Sequence, residues 1–298
     1  MLGYVARMAA ELGLDALQFV AWRAGVATVA LLVVGVLVGG RGRASRLPDV
    51  RLLTRDRQLA LLVAGLCGAL LNIAIFAAFL RTTIAVALIC FYTFPAIVTL
   101  AAVRLYGDRL DGRRAAALVL SSAGLGLVLL APWLHGGGLL IDPIGVGLAL
   151  VAAIGQAAFV LIAGRGFSPL PSMQVATWVV IVAVVASVGV IAVVGDLASL
   201  VLPLNEPRLW VWVLAGGLAG AAVPTTAFIA GIGMIGPARA AILMTFEPVV
   251  GVLLAGMLLG EHPSELQLLG GAAVLAAAVV LQSRPPAPVA EEELSPLV

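Results

Sequence analysis

The sequence predicts an all-α protein, a polytopic membrane helix bundle of two inverted five-helix repeats with the first helix truncated. Three observations carry this. The chain is too apolar to present a surface to water. It divides into runs long enough to cross a bilayer. Its second half repeats residues of its first half at a nearly constant offset.

Of the 298 residues, 62% are hydrophobic and 11% are charged, and the mean hydropathy is +1.17. A soluble domain carries about 25% charged residues, so much of this chain has to face lipid. All 17 basic residues are Arg, the net charge is +2, and they form no continuous patch, so nothing in the charge points to nucleic acid and no such partner is expected. The sequence holds no phosphate-cradling Gly-Lys loop, nucleophile elbow or zinc spacing. That argues against an ATP-driven pump and leaves no metal or cofactor expected. His135 and His262 fall in short connections, and Cys67 and Cys90 lie in apolar runs as small packing residues. An enzyme acting within the membrane would need clustered ionisable groups at depth. Only Arg23 and Glu247 sit deep, so the chain is read as not an enzyme.

About 20 apolar residues span the ~30 Å hydrocarbon core as a helix. Nine such runs are expected to be complete membrane helices: 16–38, 58–80, 83–105, 115–134, 143–164, 173–195, 209–231, 238–259 and 266–283. Met1 to Leu12 is apolar but too short to span. It lacks the basic start of a signal peptide, and Arg7 and Glu11 interrupt it. The tail 284–298 holds three prolines and Glu291 to Glu293 and is expected to be disordered. If the helices alternate, 13 Arg residues lie on one side, six of them in the 40–57 loop. Arg7, Arg81 and Arg208 lie on the other. The Arg-rich side, and with it the C-terminus, is expected to be cytoplasmic.

The repeat is legible in several places. Gly65-Leu66-Cys67-Gly68 resembles Gly217-Leu218-Ala219-Gly220, and Phe76 matches Phe228, at an offset of 152. Thr93-Phe94-Pro95 is aligned with Phe246-Glu247-Pro248, and Gly107-Asp108 with Gly260-Glu261, at 153. Gln18 and Trp22 match Gln174 and Trp178 at 156. Five helices per half invert the second repeat. The repeats are placed at 1–134 and 143–283, ahead of the tail 284–298. The offset of 156 maps Pro143 to position −13, so about 14 residues of the first helix are missing. That helix is expected to begin upstream of Met1.

The closing stretch 238–283 holds Phe246-Glu247-Pro248-Val249-Val250, then Leu259-Gly260-Glu261, then Leu268-Leu269-Gly270-Gly271. Here the chain resembles the EamA-type ten-helix permeases of the drug/metabolite transporter superfamily. The resemblance implies a secondary transporter that exports small metabolites, amino acids among them, across the bacterial inner membrane. Its leading mechanism is alternating access of one half against the other. A lipid-intermediate flippase of similar architecture and a truncated, inactive or scaffolding protein stay open as alternatives. The expected partners are a small-molecule solute and the lipid bilayer, with proton coupling as a further role, and the chain is expected to be a monomer or weak homodimer.

Transporter sites lie near the midplane at the repeat interface, where polar side chains are costly. Asn72, with Phe76 one turn away, reads either as a cavity wall or as helix packing. Pro224-Thr225-Thr226 stands opposite Asn72 in the repeat. The carbonyl that Pro224 frees faces a solute or is satisfied locally by the Thr hydroxyls. Tyr92, Gln156, Trp22 and Trp178 complete the polar set at depth, and an aromatic cavity would suit an apolar or aromatic solute. For Trp178, close to its helix end, anchoring at the interface is the stronger reading. Asn72, Tyr92, Gln156 and Thr225 are expected to share one central cavity. Pro95, Pro224 and Pro248 mark expected helix kinks. Arg23 and Glu247 are the one deep charge of each half and are expected to pair across the repeat interface, with Glu247 as a candidate for proton coupling. The alternative is that Arg23 snorkels to the surface and that Glu247 is neutral.

Overall fold

In hydrocarbon each backbone polar group has to be satisfied within its own segment, and the described residues are helical with no strand. A computed structural model describes residues 2–38, 53–106, 111–134, 140–165, 167, 170–194, 197–259 and 264–282. His135, His262, most of the 40–57 loop, Gly107-Asp108, Gly260-Glu261 and the tail 284–298 lie outside the described residues.

The first helix, α1, runs Leu2–Glu11 and is 10 residues long. It ends at Gly13, whose φ of 92° suits a residue without a Cβ. The next helix opens on a capping box: the Gln18 N–H donates to Asp15 Oδ1 at 2.9 Å, and the Asp15 N–H donates to Gln18 Oε1 at 3.2 Å. The following helices are α2 (Ala16–Val38), α3 (Arg55–Phe79), α4 (Ile84–Phe91), α5 (Phe94–Tyr106), α6 (Gly112–Leu134), α7 (Pro143–Arg165) and α8 (Ser172–Val194). A 3-10 turn (Leu197–Val201) and α9 (Leu202–Asn205) lead to α10 (Leu209–Gly217). A π-helical turn (Leu218–Ala222) joins α10 to α11 (Val223–Ile235), and α12 (Pro237–Leu243), α13 (Phe246–Leu259) and α14 (Glu265–Gln282) follow. Gly236, with φ 82° and ψ 161°, turns the chain from α11 into α12.

Among the described residues, seven helical stretches are long and apolar enough to cross a membrane. These are seven of the nine expected spans, and the last two differ from them in form. The run at 238–259 is split into α12 and α13, and α14 has only 18 residues. The third span is split in the same way, into α4 and α5. Apolarity sets where a span lies, but Thr and Pro inside it decide whether one helix runs through.

The two breaks are built alike. The Tyr92 N–H donates to the Leu88 carbonyl and the Thr93 N–H to that of Cys90; the Met244 N–H donates to Ala240 and the Thr245 N–H to Ile242. Each Thr hydroxyl also donates to the carbonyl three residues back, at 2.7 Å in both halves. Thr93 therefore corresponds to Thr245, and Phe94 to Phe246, at an offset of 152. The offset of 153, which aligned the two prolines, is one residue out at this turn, because Glu247 occupies the place of Pro95.

The largest helix contacts are α6 with α14, α3 with α7, α2 with α8 and α3 with α8. Each joins one half of the chain to the other. Two crossings repeat the same close approach. A Cβ on Gly65 would collide with Val182 and stand 3.2 Å from the Val179 carbonyl oxygen. One on Gly217 would collide with Val26 and stand 3.0 Å from the Arg23 carbonyl oxygen. Val26 and Val182, like Arg23 and Val179, are 156 apart, so one crossing is the pseudo-symmetric image of the other. Small residues let membrane helices approach this closely. Large apolar side chains such as Val36, Val193 and Met234 stand outward, at least 75% exposed, as a lipid-facing wall requires.

At one end of the bundle, Arg81 after α3 and Asp142 before α7 form an ion pair at 3.2 Å. Thr82 Oγ1 donates to the Leu140 carbonyl at 2.6 Å. Burial pushes the Asp142 carboxyl up. The hydrogen bond from Arg81, those from the Gly145 and Ile144 N–H groups and the Arg81 charge outweigh this and hold it below its usual range. A depressed carboxyl adds stability above its unfolded pKa, about 3.9, and that stability is lost as pH falls through the lower folded value. In a detergent thermal-melt series from pH 6 to pH 2, the wild type is expected to lose slightly more stability than Asp142→Asn. Equal losses would show that the bridge contributes nothing.

Candidate functional site

Arg23 is the eighth residue of α2, roughly 10 Å along the helix at 1.5 Å per residue. It does not snorkel, being only 7% exposed. Its Nη2 donates to Asn72 Oδ1, its Nη1 donates to the Gly220 carbonyl at 3.5 Å, and its Cζ lies 5.5 Å from the centre of the Phe76 ring. The buried Nε has no hydrogen-bond partner among the described residues.

The Gly220 acceptor follows from Pro224. Proline has no N–H, so the carbonyl four residues earlier loses its α-helical donor. Sequence reasoning left that carbonyl to a solute or to a Thr hydroxyl. In the structure Arg23 reaches it, and Thr226 Oγ1 donates to Ala222 at 2.9 Å instead. In the first repeat the same place is served differently. Asn72, the counterpart of Pro224, donates its Nδ2 to the Gly68 carbonyl at 2.7 Å, and Gly68 is the counterpart of Gly220. Arg23 thus bridges two equivalent carbonyl positions, one directly and one through Asn72.

The second cluster lies where the broken helices meet. Tyr92 OH donates to Glu247 Oε2 at 3.4 Å. Tyr92 is buried with Phe91 and Phe94 around it, at ring-centre distances of 5.2 and 5.9 Å. Gln156 of α7, also buried, points its Nε2 at the Met244 sulfur, 3.5 Å away. Glu247 is exposed in the turn that opens α13.

The expected Arg23–Glu247 ion pair is corrected. No carboxylate lies within 4.0 Å of Arg23 among the described residues. Depth along a helix carries no information on the lateral separation of two residues, and Arg23 is taken instead by Asn72 and Gly220. The four residues expected around one cavity divide between the clusters: Asn72 belongs with Arg23, while Tyr92 and Gln156 belong with the helix breaks. Thr225 is half-buried on α11. Phe76 is packed under Arg23 and against Phe19, at 5.8 Å. Trp178 is partly buried, and its indole N–H has no partner among the described residues. Its counterpart Trp22 donates to the Leu200 carbonyl at 3.0 Å and packs edge-on to Trp210. Pro95 and Pro248 follow the two helix breaks, and Pro224 follows the π-helical turn. Sequence reasoning missed Gly220, Met244 and Phe19. Counting four back from Pro224 would have found the first.

The EamA-like transporter family matches this chain over residues 2–130 and 143–282. An uncharacterized transporter of Synechocystis sp. (strain PCC 6803) is 28% identical over 196 residues, 64% of this chain; the chain spans 56% of that relative's length. A solved crystal structure superposes with a TM-score of 0.71 over 95% of this chain and 94% of its own, at 18% identity, which is a likeness of fold. The apolar spans, the paired helix crossings and the family match over both halves lead to one conclusion: this chain belongs to the EamA-like transporter family.

Proposed function

We propose that the chain exports small metabolites, amino acids among them, across the bacterial inner membrane by alternating access of its two repeats. The single observation that carries this reading is the pair of pseudo-symmetric helix crossings, Gly65 on Val182 and Gly217 on Val26. Two like interfaces with unlike side chains at their centres, Arg23 and Val179, give two similar states of unequal energy. Such a pair is what alternating access needs. Glu247 is the coupling group in this reading. It is exposed, hydrogen-bonded by Tyr92, and able to hold either a proton or a solute cation. The C-terminus is cytoplasmic on the strength of the 13-to-3 Arg asymmetry. A C-terminal reporter active only in the periplasm would overturn that orientation.

The test is counterflow in proteoliposomes loaded with an unlabelled amino-acid panel, with and without a pH gradient. Accumulation of at least one labelled amino acid is expected, faster with the gradient, and Glu247→Gln is expected to remove the effect of the gradient. Transport that a gradient does not change would remove Glu247 from the coupling role.

A further inference from the structure

Between α8 and α10 the chain makes a connection that is not built like a loop in water. A water-facing connection is ordinarily polar, with Gly, Asn, Asp and Ser at its turns. Residues 197–204 read Leu-Ala-Ser-Leu-Val-Leu-Pro-Leu, and they are helical, as the 3-10 turn and the start of α9. One side of this segment is docked on the bundle. Pro203 is buried and Leu202 packs against the core. Leu202 also lies over the turn between α1 and α2, with its Cδ2 3.6 Å from where a Cβ on Gly13 would stand. The Leu200 carbonyl accepts the indole N–H of Trp22 at 3.0 Å. The other side is apolar and open. Leu197, Val201 and Leu204 are 50%, 45% and 63% exposed, and their spacing of four and then three puts them on one helical face.

A single exposed leucine needs no explanation, but three large apolar side chains on one face do. Two observations name what covers them. The first is continuity with the lipid-facing wall. Val193 and Val194 at the end of α8 are 85% and 75% exposed, and Val211 at the start of α10 is 63% exposed. The open face therefore joins the outward surfaces of two membrane-spanning stretches. The second is the aromatic pair that meets it. Trp22 and Trp210 pack edge-on at 5.3 Å, and tryptophan gathers at the membrane–water interface, where an apolar ring and a polar N–H are both satisfied. Polar residues return where the segment ends, at Asn205, Glu206 and Arg208. We infer that residues 197–205 form an interfacial helix that lies in the surface of the bilayer, with Leu197, Val201 and Leu204 in the boundary between headgroups and acyl chains. The lipid surface holds the segment from outside as Trp22 holds it from inside. Together they fasten the link between α8 and α10 to the first turns of α2.

The experiment measures the depth of a fluorescent label on the whole chain in phosphatidylcholine vesicles. The free cysteines Cys67 and Cys90 are replaced by Ala, and Val201→Cys or Leu204→Cys carries an environment-sensitive dye. Both positions lie outside the membrane-spanning stretches. The expected result is blue-shifted emission, with stronger quenching by a nitroxide high on the lipid acyl chain than by one near the chain end, at a depth of about 5–10 Å, as for an interfacial helix. With the dye at position 201, the added pair Leu197→Asn and Leu204→Asn is expected to remove the lipid quenching and to open the dye to iodide in the water. Should that variant fail to fold, the depth in its parent decides alone. A dye in the parent that iodide quenches and lipid nitroxides do not would place the segment in water and overturn the inference. A dye shielded from both quenchers and cross-linked between copies would also overturn it, by making the occupant a second chain. Lipid quenching that survives both Asn substitutions would show that these side chains are not the anchor.

Discussion

Asn72→Leu is expected to be among the most destabilising polar substitutions in the bundle, at about 3 kcal/mol, the upper range for a hydrogen bond to a charged group. It removes the acceptor for Arg23 Nη2 and leaves a buried cation with one long hydrogen bond, to Gly220 at 3.5 Å. Breaking one partner of a buried charge costs more than removing the charge as well, because the remaining ion keeps its desolvation penalty. Arg23→Met alone is accordingly expected to change stability little. It loses two hydrogen bonds and leaves the Gly220 carbonyl, already without its helical donor, unsatisfied, but it also removes the cost of the charge. The double variant Asn72→Leu with Arg23→Met is expected to recover most of the Asn72→Leu loss. A detergent unfolding titration on the four proteins closes the cycle. If the double variant is as unstable as the sum of the singles, the two side chains act independently and the bridge between the carbonyls is not an energetic unit. Arg23→Met is expected to fold and to lose transport, which separates the work of this charge from its place in the packing.

The spans were legible because the bilayer imposes a length, and apolar runs of that length have few other uses. The repeat was legible from small residues, Gly65 with Gly217 and Gly68 with Gly220, since helix crossings tolerate little else. The breaks inside the third span and in the run at 238–259 were not legible. A continuous apolar run reads as one helix, at most kinked at its proline, and the interruption is local chemistry, a Thr hydroxyl taking a carbonyl at 2.7 Å just ahead of that proline. Aligning the two prolines then displaced the repeat by one residue, although Thr93-Phe94 and Thr245-Phe246 are identical pairs.

The site was legible as residue types and not as partners. Asn72, Arg23, Tyr92, Gln156 and Glu247 stood out because polar groups at depth are expensive. Their grouping depends on how closely the helices approach, and α2 approaches α10 closely at Gly216 and Gly217. A Cβ on Gly216 would stand 2.8 Å from Phe19, and one on Gly217 would collide with Val26. This contact presses α2 onto the π-helical turn and brings Arg23 to Gly220. No depth count along a single helix contains that information.

The same close-packing argument, at the contact between α6 and α14, yields the larger packing effect. A Cβ on Gly124 would stand 2.6 Å from the Gly270 carbonyl oxygen, and a Cβ on Gly270 would stand 2.5 Å from that of Gly124. Both obstacles are backbone, so no rotamer change relieves them and the two helices have to separate. Overpacking of this kind costs about 3 kcal/mol at its upper range. Alanine returns about 1 kcal/mol of helix propensity over glycine, so the net loss for Gly124→Ala or Gly270→Ala is about 2 kcal/mol. Gly126 is the internal control. It lies two residues along α6 with nothing within 4 Å of its would-be Cβ, and Gly126→Ala is expected to be neutral or slightly stabilising. The double variant Gly124→Ala with Gly270→Ala is expected to lose much less than twice the single loss, because separating the helices for one methyl makes room for the other, and neighbouring sites couple. Thermal melts of the four proteins in detergent measure this. Additive losses would mean that the helices do not move apart as a unit. A Gly126→Ala variant as damaged as Gly124→Ala would mean that glycine matters here for helix flexibility and not for the approach of two backbones.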